Sequence, residues 1–499
     1  MSRTIHKPYF NTTLQQHSSQ KEAKKSSNAG KIFITFIILS LFGLVSTGAI
    51  GSGSHLNLTY MGIIAGIVYM LSVINIRYGL AATVIGFSLS PDIPFAGIEL
   101  RLEDFLIPII GLAWFFKNMN QKGGLSYTSL KKPFLIILVL GLFSTVIALG
   151  FSTLHYTAAM QYYFKNVEYF VLFFLALNIL KTREDVYFIL ATLLLSSAFM
   201  GIFGTYQVLT KGESFGFRVS GPNGETANIL GGYYVFCMSL AAGLFFCTKN
   251  IRLKVILLIY LGVFMMWPLL QTLSRASFVS MLFALLFLGI IGKQRILFWL
   301  GGFMAIFPLL FPEYLFDRMR TVLGVVGVGD MPTSMQDKLL GWGLLWDNKI
   351  TTDGLSLLLG NGVGSIRLNI DNEYMKILGE TGLLGLLMFI IMIVAVFKLS
   401  WKVFKESSNT TDQGLCLGFL GALIALLIQG FSGTVFTTMR TMEPFMLLCA
   451  LICILHNINQ HEKTHRHSGK PIDKDHQVPA MGRYSIVEIF RKNYRQSSE

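Results

Sequence analysis

Leu273-Ser274-Arg275-Ala276-Ser277 opens, and Gly379-Glu380-Thr381-Gly382-Leu383-Leu384 closes, the stretch whose reading decides the fold. Between them, Gly360-Asn361-Gly362-Val363-Gly364 and Asp371-Asn372-Glu373-Tyr374 punctuate the only long polar interval, roughly residues 312–370, inside an otherwise apolar chain. The rest reads as membrane scaffold that holds this interval on one side of a bilayer. With 53% hydrophobic residues, 14% charged residues and a mean hydropathy of +0.58, the apolar surface has no aqueous way to be covered, so an ordinary soluble domain is excluded.

Runs of about 17 to 25 apolar residues cross a hydrocarbon core as helices. On that length the chain offers about fourteen: 32–50, 57–75, 79–94, 103–117, 133–150, 166–180, 186–209, 227–247, 254–270, 277–291, 296–311, 374–398, 415–433 and 442–457. The net charge of +14 lies mostly in short connections and both tails. Arg3 to Lys31, Arg77, Lys117 to Lys132, Lys181 with Arg183, Lys249 to Lys254, Lys293 with Arg295, Lys398 to Lys405 and Lys463 to Arg495 fall in every second connection. Cytoplasmic segments keep such charge, so both termini are expected in the cytoplasm and no nucleic-acid partner is implied. The expected architecture is all-α: a polytopic integral membrane protein with a cytoplasmic tail (1–31), eleven helices within 32–311, one long extracytoplasmic loop containing short helices (312–370), three helices within 371–457 and a second cytoplasmic tail (458–499). In that second tail, Ser485 to Arg495 has the composition of a surface helix. Cys237, Cys247, Cys416, Cys449 and Cys453 all sit in apolar runs and read as small buried hydrophobes.

Within the loop, Pro332-Thr333-Ser334 can cap a helix, and Leu339, Leu340, Gly343, Leu344 and Trp346 recur at spacings of three and four, which predicts a helix lying on the membrane surface. Basic residues on the external side run against the orientation bias, among them Arg218, Arg275, Arg318, Arg320, Lys338 and Arg440. Arg218, Arg275 and Arg440 stand directly before membrane helices. A guanidinium there either snorkels to lipid phosphate, pairs with a carboxylate, or serves a ligand, and its planar donor fork suits phosphate oxygens. Asp371, Asn372 and Glu373 stand where a membrane helix begins and would complement its N-terminal dipole. Glu380, one to two turns inside, needs a partner, and an external arginine is the natural one. No Gly-rich phosphate loop with Lys-Ser/Thr is present, and the nearest Asp-x-Asp pair, Asp473 and Asp475, is in the cytoplasmic tail. His55 and His155 are the histidines expected outside; none falls in the long loop.

Taken in order, Arg218 in its Arg-x-x-Gly-Pro-Asn string, Leu273-Ser274-Arg275-Ala276, Arg318 and Arg320 in the loop, Gly360-Asn361-Gly362-Val363-Gly364, and Asp371-Asn372-x-Tyr374 followed by Glu380-x-Gly382-Leu383-x-Gly385 resemble the O-antigen ligase and polymerase superfamily of bacterial membrane enzymes. The resemblance covers roughly residues 210–385. It implies transfer of a glycan from undecaprenyl diphosphate, at the external face of the cytoplasmic (inner) membrane, to an acceptor hydroxyl, without metal or cofactor. It further implies that Arg218 and Arg275 bind the carrier's diphosphate, with Arg318, Arg320, Lys338 and Arg440 as further cationic candidates. Asp371, or Glu373, is the candidate base, or else binds sugar hydroxyls, alongside Asn372, Tyr374 and Glu380. Ligases that attach O antigen to lipid A core carry a histidine where this chain has Asp371; the Asp-Asn-x-Tyr form is more similar to polymerases of capsule, exopolysaccharide or O antigen. A lipid-linked glycan as both donor and acceptor is therefore expected, with a chain-length regulator and a flippase as partner proteins. The readings held beside this one are a ligase and, from another class, a lipid-linked oligosaccharide flippase.

Overall fold

The computed structural model describes residues 54–89, 93–95, 98–119, 126, 128–151, 154, 156–211, 218–222, 225–293, 333–366 and 370–468. The expected spans at 32–50 and 296–311, the surface helix at Ser485–Arg495 and loop residues 312–332 lie outside the described residues. The chain is a polytopic helical membrane protein. Its first helices are α1 (Ser54–Ile74), α2 (Ile76–Leu89), α3 (Leu102–Met119), α4 (Lys131–Gly150), α5 (Tyr156–Ile179), α6 (Arg183–Lys211), α7 (Ala227–Cys247), α8 (Ile251–Gln271) and α9 (Arg275–Ile291). Then come α10 (Thr333–Leu345, extended by a wider turn over Trp346–Ile350), α11 (Gly354–Leu359), α12 (Glu373–Glu406), α13 (Thr410–Gln429) and α14 (Met439–Ser468).

Among the described residues, seven helices are long and apolar enough to cross a membrane, namely α4, α6, α7, α8, α12, α13 and α14, against the fourteen expected. Helices α1 to α3, α5 and α9 also fall on expected spans, with α2 and α9 apolar but short. The third expected span, 79–94, ends earlier, at Leu89, and gives way to a hairpin, β1 (Ile93–Phe95) with β2 (Ile98–Leu100), antiparallel with Phe95 opposite Ile98. Pro91 and Pro94 lack the N–H that a continuing helix requires.

The core lies where α7, α13 and α14 meet. The apolar windows of α7 and α14 are 83% and 89% buried, whereas that of α4 is only 33% buried and shows Leu135, Val139, Phe143 and Val146 outward. Helices α7 and α13 touch backbone to backbone: a Cβ on Gly243 would collide with Gly418, and one on Gly418 with the Leu240 carbonyl. Without water to drive association, such small-residue contacts let membrane helices approach closely enough to gain from dispersion. Helix α8 widens over Tyr260–Met266. There Pro268 gives no N–H to the Phe264 carbonyl four residues back, and Gly201 of α6, which has no side chain to obstruct it, lies against that carbonyl.

Helix α12 is broken at Gly382, where φ is +68°. An L side chain rarely adopts that conformation, so the break depends on the glycine. The Gly-rich turn fills the gap: Asn361 N–H donates to the Gly379 carbonyl (2.9 Å) and Gly362 N–H to the Glu380 carbonyl (2.9 Å), which also accepts from Ser144 Oγ of α4 (2.8 Å). The turn residues Gly360, Gly362 and Gly364 all have positive φ. The carbonyls at the end of the first half-helix are thereby satisfied by a loop instead of by helical continuation.

Candidate functional site

Leu273-Ser274-Arg275 is the turn between α8 and α9. Leu273 adopts a positive φ of 49°, a strained state for a γ-branched residue, and Ser274 caps α9 by accepting from Ser277 N–H at 3.3 Å. Arg275 is then the first helical residue, half-buried. Arg218 reaches the same turn, its Nε donating to the Thr272 carbonyl at 2.9 Å, while Val219 N–H donates to Gln271 O at 3.1 Å. Two of the predicted arginines therefore bracket one turn although their motifs are far apart in sequence.

From that turn a chain of hydrogen bonds runs to the predicted acid. Ser274 Oγ donates to Asn228 Oδ1 (2.8 Å) at the start of α7, and Asn228 Nδ2 donates to the Ser432 carbonyl (2.7 Å) in the α13–α14 connection. Gln429 of α13 braces Asn228 through Nε2 at 2.8 Å and accepts from Ser280 Oγ of α9 at 3.1 Å. Lys338 of α10 closes the series. Its ammonium donates to the Ser432 carbonyl and to Ser432 Oγ and forms an ion pair with Asp371 Oδ2, each at 3.1 Å. The Asp371 side chain is 46% exposed and Lys338 21%, so this carboxylate remains open to solvent or ligand while its partner is held.

Other predicted residues are engaged differently. Asn372 caps α12, accepting from Tyr374 N–H (3.0 Å) and Met375 N–H (3.1 Å). Glu373 is fully buried: one carboxylate oxygen accepts from Phe436 N–H at 2.9 Å and the other has no hydrogen-bond partner. Tyr374 donates to the Leu427 carbonyl (2.6 Å) and tilts against Phe431. Glu380 accepts from Gly364 N–H at 3.2 Å, a partner from the Gly-rich turn where an arginine was expected. Glu373, Ile377 and Glu380 recur on one face of α12 and, with Asn166, Tyr163 and Thr437, line a cavity of about 100 Å³ between α4, α5, α12 and α14. Arg440 is wholly buried and bound to Glu225 and the Ser88 carbonyl. Arg318 and Arg320 lie outside the described residues.

Asn228, Ser274, Gln429 and Ser432 were not among the predicted site residues. Asn228 and Gln429 carried a signal, since each is an amide within an apolar run, where an unsatisfied polar group is expensive. Comparison with known proteins gives no matching family model and no curated protein similar to the chain in sequence.

Proposed function

We propose that the chain is a glycosyltransferase of the bacterial cytoplasmic membrane, both termini cytoplasmic, that polymerises undecaprenyl-diphosphate-linked oligosaccharide repeat units at the extracytoplasmic face, in the manner of the O-antigen polymerases its motifs resemble. The observation that supports this reading is the hydrogen-bonded series through Ser274, Asn228 and Ser432 that joins the turn held by Arg218, where Arg275 follows Ser274 in sequence, to the ion pair of Lys338 with Asp371. In this reading the acceptor hydroxyl oxygen attacks the anomeric carbon, the bond to the carrier's diphosphate breaks, and the diphosphate leaves with the electron pair. Arg218 and Arg275 stabilise the growing negative charge from fixed positions, Asp371 takes the hydroxyl proton, and Lys338 holds that carboxylate in place. A single displacement inverts the anomeric centre.

One observation favours a transport reading: a helix broken at Gly382 beside a cavity holding two buried glutamates has the character of a transporter's binding site. A single glycan profile separates the readings, taken from cells with and without the chain and extracted so that lipid-linked intermediates survive. Polymerisation predicts that loss of the chain removes the long ladder and leaves single repeat units on external carrier. Long polymer stranded on the carrier would instead identify a ligase, and single units trapped at the cytoplasmic face a flippase.

A further inference from the structure

A buried polar seam continues from the Arg275 turn into the helix bundle. Ser277 and Ser280 follow the cap residue Ser274 at steps of three, so their hydroxyls share one face of α9. Gly231 of α7 has no side chain to intervene and lets Ser277 and Thr272 lie against its backbone. Ser277 Oγ donates to Ser274 Oγ at 2.8 Å, and Ser280 Oγ shares its proton between the Ser277 carbonyl (2.9 Å) and Gln429 Oε1 (3.1 Å). Gln429 is the last residue of α13 and is buried. Its Nε2 donates to Asn228 Oδ1 at 2.8 Å, with the Asn228 carbonyl at 3.1 Å and Ser277 Oγ at 3.3 Å also within reach.

The backbone that follows Gln429 leads to the candidate base. Gln429 O accepts from Ser432 N–H at 2.9 Å, and the next carbonyl, Gly430 O, accepts from Glu373 N–H at 2.8 Å. Glu373 opens α12, two residues after Asp371. A second route therefore joins α9 to α12, from Ser280 through Gln429 and Gly430 to Glu373, beside the one through Asn228 and Ser432. The two routes meet where Gln429 Nε2 donates to Asn228 Oδ1. Side-chain hydrogen bonds between membrane helices add modestly to stability, because separated helices find other partners in the bilayer. What several together fix is the rotation of α9 and the end of α13 relative to α7.

We propose that Gln429 is a positioning residue for glycan transfer: it aligns α9, which begins at Arg275, with the start of α12, which follows Asp371. The inference rests on the glycan reading and adds to it a residue that acts only through those two. Transfer needs the leaving diphosphate and the accepting carboxylate in register, and a displacement of about 1 Å costs about 10²-fold in rate. Donor binding depends less on Gln429, because Arg218 and Val219 hold the α8–α9 turn through Thr272 O and Gln271 O.

Steady-state kinetics test it on the purified full-length protein in proteoliposomes, with lipid-linked repeat units extracted from cells lacking the chain as substrate. Gln429→Met keeps the length of the side chain without its hydrogen bonds, and Ser280→Ala removes one partner while leaving the glutamine in place. We expect kcat to fall by up to about 10²-fold in Gln429→Met and by less in Ser280→Ala. KM and melting temperature should stay close to wild type in both, since lost alignment lowers kcat and kcat/KM together. The double variant should be no slower than Gln429→Met alone, because the two residues act through one contact. Unchanged kcat in both single variants, a raised KM with kcat intact, or losses that merely follow the amount of folded protein would each overturn the proposal. If Gln429→Met does not fold, Ser280→Ala decides by the same criteria. Wild-type protein that builds no polymer from these units overturns the glycan reading and this inference with it; active wild type with kcat intact in both variants overturns this inference alone.

Discussion

Lys338 donates twice to Ser432 and pairs with Asp371, and neither partner is near it in sequence. If Asp371 is the base, Asp371→Asn should lower polymer formation by about 10²- to 10⁴-fold, the range of a positioned general base, with expression unchanged; full activity would reassign the role. Lys338→Met should lose activity and Lys338→Arg recover part of it, scored on the same glycan gels. Arg275→Ala and Arg275→Lys should both lose polymer where a bidentate phosphate contact matters. Arg440 belongs to a different test. Removing it leaves Glu225 buried beside Arg101 alone, so Arg440→Ala should cost about 3–5 kcal/mol of stability, seen as a large fall in melting temperature in detergent. Burial by itself would raise the Glu225 carboxyl, but Arg440 and then Arg101 outweigh it and hold the group below its ordinary value of 4.5. A depressed carboxylate stabilises the fold fully above that ordinary value and loses its contribution as pH falls through the lowered one. Melting temperature should therefore fall on acidification below about pH 4.5, and Glu225→Gln should flatten that fall. The motifs singled out Asp371, Lys338, Arg218 and Arg275 one residue at a time. Their connection was not legible, because it passes through Asn228 and Ser432, whose partners are set by packing between distant helices.

Helix α12 is where local sequence and tertiary packing contribute most equally. Gly382 at positive φ lies against the Leu358 carbonyl, and Gly360 against the backbone of Glu380 and Thr381. Gly382→Ala therefore meets both backbone strain of about 1–3 kcal/mol and a steric block. We expect a lower melting temperature and loss of activity together, whereas Gly341→Ala, in open space on α10, should change neither. Apolar runs marked the membrane helices, and the 333–345 helix followed from its three-and-four spacing. The exposed Leu340 and Leu344 of that helix fit the face expected to lie on lipid. The break at Gly382 was not readable, since Gly-Glu-Thr-Gly-Leu-Leu is equally compatible with continuous helix; only the turn donating to Gly379 and Glu380 decides it. The widened turns in α8 and α10 escape sequence reading for the same reason.

At the scale of the molecule, hydropathy identified a membrane protein at once. It could not rank the helices by depth, because peripheral α4 is more apolar in sequence than buried α7; glycine contacts and neighbours separate them. Gly418→Leu would push a side chain into the Leu240 backbone and, as overpacking, should cost about 1–3 kcal/mol; thermal melting of the purified protein measures it. That same α7–α13 seam has a consequence for how the protein is made. Helices leave the ribosome in chain order, so α7 enters the bilayer long before its closest partner exists and waits while everything from Thr248 to Asn409 is synthesised. A chain halted after Asn409 would carry every helix of the early scaffold yet keep the inner face of α7 exposed to lipid or to the insertion machinery, and pulse-chase labelling should find it short-lived. Synthesis of α13 is thus the step of biogenesis at which the inner face of α7 gains its cover.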